Sequence, residues 1–505
     1  MTMQIEAGPP SMRHPQVRLS AASALPPWIS IIVLFAAAVA LRHLLASNTD
    51  VSWLLTVGER ILDGQRLYVD VIETNPPMAV LVYMPAIIIA RAFGLPVEAV
   101  TDGLVFASIF VSLAIVARIL KGSWVAAGLN GWRFATFAFF VLAILPMQTF
   151  GQREHIAIIE LLPLLALLAV RMNGGQSSVW LAVIAGIGAG LAVSFKPHFA
   201  LGLFCAVACF TIYLRSWKRA FTLEILTAAA VILLYAASMV AFFPAYFTII
   251  VPLVRDIYIP VGASLQTLLE KPPLLIWTVA IVTTIALKRQ DKIDAACVLL
   301  LATSLGFAAA FFLQRKGWPY HSYPMLALVI LALGHALMSD AYGAGRAVRA
   351  IAMGLFAALL MGSMSWFNVT FDARPLQAAV ARLGPNPRIL AITVEPAFGH
   401  PLVRALNGTW VSRQQGLWVG GYIEYMRQHG IIGPEPHPEL DAYAARERAM
   451  LIEDINRIKP SVVLVDNLIS GGSDWLRSHP DVSALLRDYQ LAETVDGVDI
   501  LREAR

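Results

Sequence analysis

Charge is scarce in this sequence. Asp, Glu, Lys and Arg make up 14% of its 505 residues, while 58% are hydrophobic. A soluble globular protein carries about 25% charged residues. Such a chain cannot coat itself with a solvated surface, so it reads as a polytopic α-helical membrane protein with the lipid bilayer as its first partner. Its net charge of +5 is then the Lys/Arg excess of short loops between spans, and no nucleic-acid partner is expected. Cysteine is nearly missing too. Cys205, Cys209 and Cys297 all lie inside apolar runs and read as small buried apolar groups, which excludes a disulfide framework and supports no cysteine metal site. There is no Gly-rich phosphate loop, no HExxH and no Gly-x-Ser-x-Gly, so nucleotide binding and serine hydrolysis are unsupported. Internal repeats and low-complexity tracts are absent as well.

What the chain does have is apolar runs with polar groups gathered at their ends. Residues 1–27 are polar and proline-containing and read as a cytoplasmic tail with Arg13 and Arg18 as its basic flank. A first span follows at 28–46. Further spans fall at 104–119, 134–150, 156–170, 179–195, 199–214, 223–243, 274–287, 295–313, 325–337 and 350–364. The segment 78–93 is ambiguous: about sixteen residues long, with Pro85 and Arg91 inside it. A span needs about 20. Charge counting decides. If 78–93 lies in the interface, the basic groups near 13–18, 118–133, 171, 215–219, 288–292 and 346–349 all share one side, as the positive-inside rule requires. The expectation is therefore eleven spans, N terminus inside, C terminus outside, and a long periplasmic loop at 47–100 within a transmembrane domain of 28–366.

Residues 367–505 carry more charge and no span-length apolar run. The stretches 388–394, 461–465 and 497–501 read as strands, and 446–458 and 481–489 as amphipathic helices. This predicts a small periplasmic α/β domain.

On the outer side the polar groups converge from distant parts of the chain. The stretch 50–77 holds five acids, Asp50, Glu59, Asp63, Asp70 and Glu73, with Trp53 and Tyr68 among them and Pro76-Pro77 closing it. Acids are not membrane anchors, so this is either a solvated loop or a catalytic one. Asp50, just after the first span, can take a proton from an incoming hydroxyl or amine; it can equally end a helix in water. Arg153-Glu154-His155 opens a span with more ionisable groups than capping needs, although Glu154 alone would suit a helix start. Lys196 and His198 flank Pro197, and Lys196 can simply snorkel. Arg315, Lys316, Trp318, Tyr320 and His321 form the densest cluster. The aromatics suit an interfacial belt, but two cations on the outer side oppose the orientation bias and call for an anionic partner such as a lipid-linked phosphate. A divalent metal bridging Asp50 and another acid is left open, since no ligand spacing argues for one.

The run DVSWLLTVGERILDGQRLYVDVIETNPPM resembles the first external loop of GT-C superfamily glycosyltransferases, in particular bacterial relatives of protein O-mannosyltransferases and of the lipid A aminoarabinose transferase. The resemblance rests on Asp50, Gly58, Gly64, Tyr68, Asp70, Pro76 and Pro77, and extends loosely to 152–155, 316–321 and the KPSVVLVD stretch at 459–466. It implies an inverting transfer of a hexosyl or pentosyl group from a polyprenyl-phosphate-linked sugar to an envelope acceptor (lipid, glycan or protein) at the periplasmic face of a bacterial inner membrane. Asp50 would be the catalytic carboxylate that activates the acceptor. Arg153, Lys196, Lys316 and Arg315 would hold the donor phosphate. Glu73, Asp70, Tyr68, Glu154, His155, Tyr320 and His321 would shape the sugar or acceptor site. Where protein O-mannosyltransferases carry Asp-Glu, this chain has Asp50-Val51, which argues against a protein-mannosylating role. A flippase of lipid-linked sugars would also want outer cations, but the chain lacks the repeats and broken mid-membrane helices typical of transporters. A sensor or assembly protein would leave the loop acids without a task.

Overall fold

The computed structural model describes residues 27–45, 47–123, 131–288, 294–339 and 346–504. The expected tail at 1–27, and Arg289 and Lys292 of the charge count, lie outside them or at their edge. Each of the eleven expected spans falls on a helix: α1 (Pro27–Leu44), α5 (Val97–Leu120), α6 (Gly131–Ala143), α7 (Arg153–Met172), α8 (Val179–Phe195), α9 (Ala200–Tyr213), α10 (Leu223–Phe242), α11 (Pro272–Leu287), α12 (Ala295–Gln314), α13 (Pro319–Met338) and α14 (Arg346–Phe367). Six of these are long and apolar enough to cross a membrane on those criteria alone, namely α5, α7, α10, α12, α13 and most of α14. The chain is a multi-span membrane protein.

α7 and α13 are buried along most of their length and form the centre, while α10 and α14 expose most of theirs. Small residues set how closely the helices approach. A Cβ on Gly188 of α8 would stand 2.5 Å from the Glu160 carbonyl of α7, and one on Gly190 would stand 2.6 Å from Val231 Cβ of α10, so α8 wedges between them. Trp277 Nε1 of α11 donates to Ser304 Oγ of α12 at 2.7 Å, and that hydroxyl donates to the Met325 carbonyl of α13 at 2.8 Å. Polar side chains thus find partners inside the bundle rather than facing lipid.

The acidic stretch departs from its expected loop form. Thr49–Leu62 is a helix, α2. Asn48 caps it, its side chain accepting from the backbone N–H of Asp50 (2.9 Å) and Val51 (3.4 Å). Val51, Trp53, Leu54, Leu55 and Val57 are buried by this helix while the acids stay at its ends and rim. Gly64, at φ 91°, turns the chain away from it. The segment 78–93 forms two short helices, α3 (Met78–Leu81) and α4 (Met84–Phe93). Pro85 sits in the first turn of α4, where no backbone donor is needed, and Gly94 ends it in the left-handed region at φ 65°.

The C-terminal part folds around a five-stranded sheet in the order β2-β1-β3-β5-β4, with β1 (Arg388–Ile392), β2 (Thr409–Trp410), β3 (Val462–Asp466), β4 (Tyr489–Val495) and β5 (Val498–Glu503). β1 runs parallel to β2 and β3, whereas β5 runs antiparallel to β3 and β4. The expected helix at 481–489 is corrected: it ends at Leu485, and Tyr489 already belongs to β4. β4 is an edge strand with mostly exposed side chains, so no apolar alternation marks it. The usable signal was Asp496-Gly497. Both residues have positive φ (49° and 79°), the geometry of a tight two-residue hairpin.

This sheet domain is bound to α2. Arg404 Nη1 donates to Glu59 Oε2 at 2.6 Å and its Nε to Glu98 Oε1 at 2.5 Å. Arg60 donates to the carbonyls of Ser412 (2.8 Å) and Trp410, and the Ile72 N–H donates to the Arg413 carbonyl at 2.8 Å. Four of these ties are charge-assisted, and they hold the α2 end rigid next to the bundle.

Candidate active site

Asp50 lies in the first turn of α2, where the helix dipole favours negative charge. The turn before α7 closes on it. Asn48 Nδ2 donates to the Gln148 carbonyl at 2.9 Å, and Gln152 Nε2 reaches both Asn48 Oδ1 and, at 3.3 Å, Asp50 Oδ2. Arg153 Nη2 donates to the same Asp50 oxygen at 2.9 Å. The pair is asymmetric. Arg153 is 2% exposed, whereas the Asp50 side chain is 23% exposed. The carboxylate can therefore be reached from outside while its partner cannot leave. Arg153 Nε and Nη1 are buried without a hydrogen-bond partner among the described residues.

The next two residues of the Arg-Glu-His run face other ways. Glu154, fully buried, receives Lys196 Nζ at 2.6 Å, and His321 Nε2 stands 3.7 Å from the same oxygen. Lys196 also lies over the Tyr320 ring, 5.4 Å from its centre. His155 is locked by backbone: its Nδ1 accepts from the Gly151 N–H at 3.0 Å and its Nε2 donates to the Leu142 carbonyl at 2.6 Å. So Glu154, Lys196, Tyr320 and His321 form one buried cluster at the head of α7, and His155 shapes the turn that presents Arg153.

Three first-loop residues have local partners instead. Asp70 is an exposed turn residue clasped by its neighbour Arg66, whose Nε and Nη2 donate to it at 3.0 and 3.1 Å. Tyr68 is buried, adopts φ 71°, and donates its hydroxyl to the Asn75 carbonyl at 2.7 Å. Glu73 is 3% exposed; its Oε1 accepts from Asn75 N–H (2.8 Å) and Nδ2 (2.6 Å), and its Oε2 from Trp53 Nε1 (2.5 Å). Oε2 thus ties the loop to α2, while Oε1 fixes the loop's own turn at Asn75. Glu73→Gln turns an amide N–H toward one of these donors, so it should lower stability by about 1–3 kcal/mol with donor KM unchanged. A thermal midpoint in detergent reads the first and steady-state kinetics the second. Weakened donor use at an unchanged midpoint would return Glu73 to the site.

The cluster at 315–321 divides as well. Tyr320 and His321 turn inward to Glu154 and Lys196, but Arg315 and Lys316 line a cavity of about 520 Å³ between the bundle and the sheet domain. Its other walls include Trp318, Thr393, Tyr422 and Ser470. Lys316 has no acid partner among the described residues. Its Nζ donates to the carbonyls of Tyr258 (2.6 Å) and Val261 and lies 3.8 Å from the centre of the Tyr258 ring. Burial, and then the nearby Arg315 charge, pull this ammonium down to about 8. Tyr422 and Glu395 are residues that sequence reasoning missed, and Tyr258 was read only as one polar group of the 244–273 loop, without a site role. Burial pushes the Tyr422 hydroxyl up to about 12, with the charges of Glu395 and Asp50 adding to it. Burial also raises the Glu395 carboxyl, and Asp50 contributes there too. The Asp50 charge is thus felt at Glu395 and at Tyr422, and Tyr422 also lines the Lys316 cavity. Nothing in the spacing of 258, 395 and 422 marks this, since the sheet domain brings two of the three.

Asp50 does not gather a metal-ligand set: among the described residues no group of three His, Cys, Asp or Glu donors surrounds it. Its close polar partners are an arginine, a glutamine and an asparagine, which do not fit a bridging divalent ion.

No protein-family model matches this sequence, and no curated protein matches it. Solved structures do. A crystal structure of ArnT from Cupriavidus metallidurans bound to undecaprenyl phosphate superposes with a TM-score of 0.57 at 14% identity, over 95% of this chain and 98% of that one. The chain has a GT-C fold. The single-particle structure of the arabinofuranosyltransferase AftD from Mycobacteria matches at a TM-score of 0.48 and 14% identity, over 96% of this chain and 40% of that one. The likeness to ArnT covers the helical bundle and the C-terminal sheet domain together.

Proposed function

We propose that this GT-C protein is an inverting glycosyltransferase that moves a sugar from a polyprenyl-phosphate donor to an acceptor at the periplasmic face of a bacterial inner membrane. The observation that carries the reading is the Asp50–Arg153 pair: a reachable carboxylate held in place by a buried arginine, 103 residues away in the chain. In this reading the acceptor hydroxyl or amine attacks the anomeric carbon and gives its proton to Asp50. The bond to the phosphate oxygen breaks, and the polyprenyl phosphate leaves with the electron pair. Lys316 and Arg315 meet the charge that develops on that phosphate. Arg153 positions Asp50, and its unpartnered Nε–H and Nη1–H groups are the remaining donors at hand. Lys196, paired to Glu154, builds the site rather than gripping the phosphate. Undecaprenyl phosphate on ArnT supports the donor class. The test is sugar transfer by purified protein in detergent from a synthetic polyprenyl-phosphate sugar to an envelope extract. Product formation without two compartments separates a transferase from a flippase, which would yield none.

Two expectations follow from this reading. Losing one charge-assisted hydrogen bond costs about 1.5–3 kcal/mol, so Lys316→Ala should slow donor use roughly ten- to two-hundredfold. Because the ammonium sits near 8, raising the pH removes the cation, and kcat/KM should fall above about pH 8. Lys316→Arg stays charged and should move that fall upward. An identical alkaline limb in both proteins would assign it to another group. The orientation is tested with reporters. An externally active reporter fused after Arg374 should be on and one near Lys121 off; activity at Lys121 would overturn the interfacial placement of α3 and α4.

A further inference from the structure

A second constellation lies at the opposite end of the bundle. α12 starts and α13 ends there, about 30 Å from Lys316 for helices of 20 residues. Asp294 caps α12, its Oδ1 accepting from the Cys297 N–H at 2.9 Å. Its Oδ2 stands 3.6 Å from His335 Nδ1, and Cys297 Sγ stands 3.5 Å from the same nitrogen. The three donor atoms all lie within 4.8 Å of one another. Cys297 is fully buried and His335 is 5% exposed, while the Asp294 side chain is 34% exposed and opens the group to the surface. Lys288 Nζ faces the cluster, donating to Asp294 Oδ2 and Ser339 Oγ, both at 2.9 Å. The His335 ring is packed edge-on by Phe134, and its buried Nε2 has no partner.

Tetrahedral zinc, with bonds of about 2.0 Å to N and O and 2.3 Å to S, sets its ligand atoms about 3.3–3.6 Å apart. The two edges at His335 match that figure. We propose that Asp294, Cys297 and His335 bind one Zn²⁺ ion, with water in the fourth position at the exposed edge. The donor set decides the metal: a thiolate and an imidazole suit zinc and not the hard cations Mg²⁺ or Ca²⁺. Binding releases the thiol proton and leaves Lys288 as a hydrogen-bonding neighbour of the carboxylate. Such an ion would clamp the start of α12 to the end of α13, and through them brace the helices whose far ends carry the transfer cavity. The site is independent of the transfer reading. Sequence spacing hides it, because Asp294-x-x-Cys297 finds its third ligand 38 residues on, at the end of another helix.

Cobalt(II) provides the direct test on the purified full-length protein in detergent, stripped with chelator. One Co²⁺ per chain should bind with a thiolate-to-cobalt charge-transfer band, and Zn²⁺ should displace it. Cys297→Ser should abolish the band. His335→Ala should weaken binding by tenfold or more, and Cys205→Ser with Cys209→Ser should change nothing. Zinc should raise the thermal midpoint of the wild type and not of Cys297→Ser, a readout that does not depend on transfer. Absence of the band in the wild type, or its survival in Cys297→Ser, overturns the proposal and leaves Asp294 as a helix cap paired to Lys288.

Discussion

Asp50→Asn is expected to slow sugar transfer by about 10²–10⁴-fold, the usual worth of a positioned general base, with donor binding retained. The amide has nearly the shape of the carboxylate, and its oxygen can still accept from Arg153 and Gln152, which stand 2.9 and 3.3 Å away. What it loses is the ability to take the acceptor's proton. It also leaves the buried Arg153 without its counter-charge, so the thermal midpoint must be read alongside the rate. A large rate loss with a modest midpoint shift identifies a base. Glu73→Gln is the matched comparison, because that acid sits in the same segment with both oxygens engaged by the protein. Should Asp50→Asn keep most of its activity, the base lies elsewhere, and Glu395 is the next carboxyl to replace.

Lys196→Met should be the most destabilising single change in the site. Lys196 and Glu154 are 8% and 0% exposed in their side chains and meet at 2.6 Å. Removing one member of a buried ion pair strands the other charge and typically costs about 3–5 kcal/mol. Glu154 Oε2 already lacks a partner, and His321 is 3.7 Å from Oε1, too far for a full hydrogen bond. Replacing both residues, Glu154→Gln with Lys196→Met, removes the stranded charge and should recover most of the loss. Thermal midpoints of the two single variants and the double variant, read by tryptophan fluorescence in detergent, complete the cycle. A Lys196→Met protein as stable as the wild type would mean that Lys196 is not neutralising Glu154, and would restore it as a free cation for phosphate.

Much of the architecture was legible because bilayer physics is one-dimensional. A helix must carry its own hydrogen bonds through hydrocarbon, so apolar length and the side taken by Arg and Lys mark helices directly in the chain. All eleven expected segments fall on helices, and 78–93, expected as an interfacial helix, forms two short ones with Pro85 in the first turn of the second. β1, β3 and β5 were readable from β-branched runs, whereas the edge strand β4 was not, because its side chains are mostly exposed. α2 was missed because its apolar residues are interleaved with acids that a packed sheet domain, not water alone, accommodates.

The site divides along the same line. Sequence by itself determined which ionisable groups stand at helix ends, because charge beside hydrocarbon is rare enough to be conspicuous. It could not determine who pairs with whom. Of three adjacent residues, Arg153 meets Asp50, Glu154 meets Lys196, and His155 turns to the backbone. Neighbours on a helix point about 100° apart, so adjacency in the chain guarantees separation in space. Tyr68, Asp70 and Glu73 look like site residues in the chain, and in the fold their hydrogen bonds are made within seven residues or to the Trp53 ring. Tyr258, Tyr422, Glu395 and the zinc-like triad depend on contacts between segments far apart in sequence, and only the packing of the sheet domain and of α12 against α13 decides those.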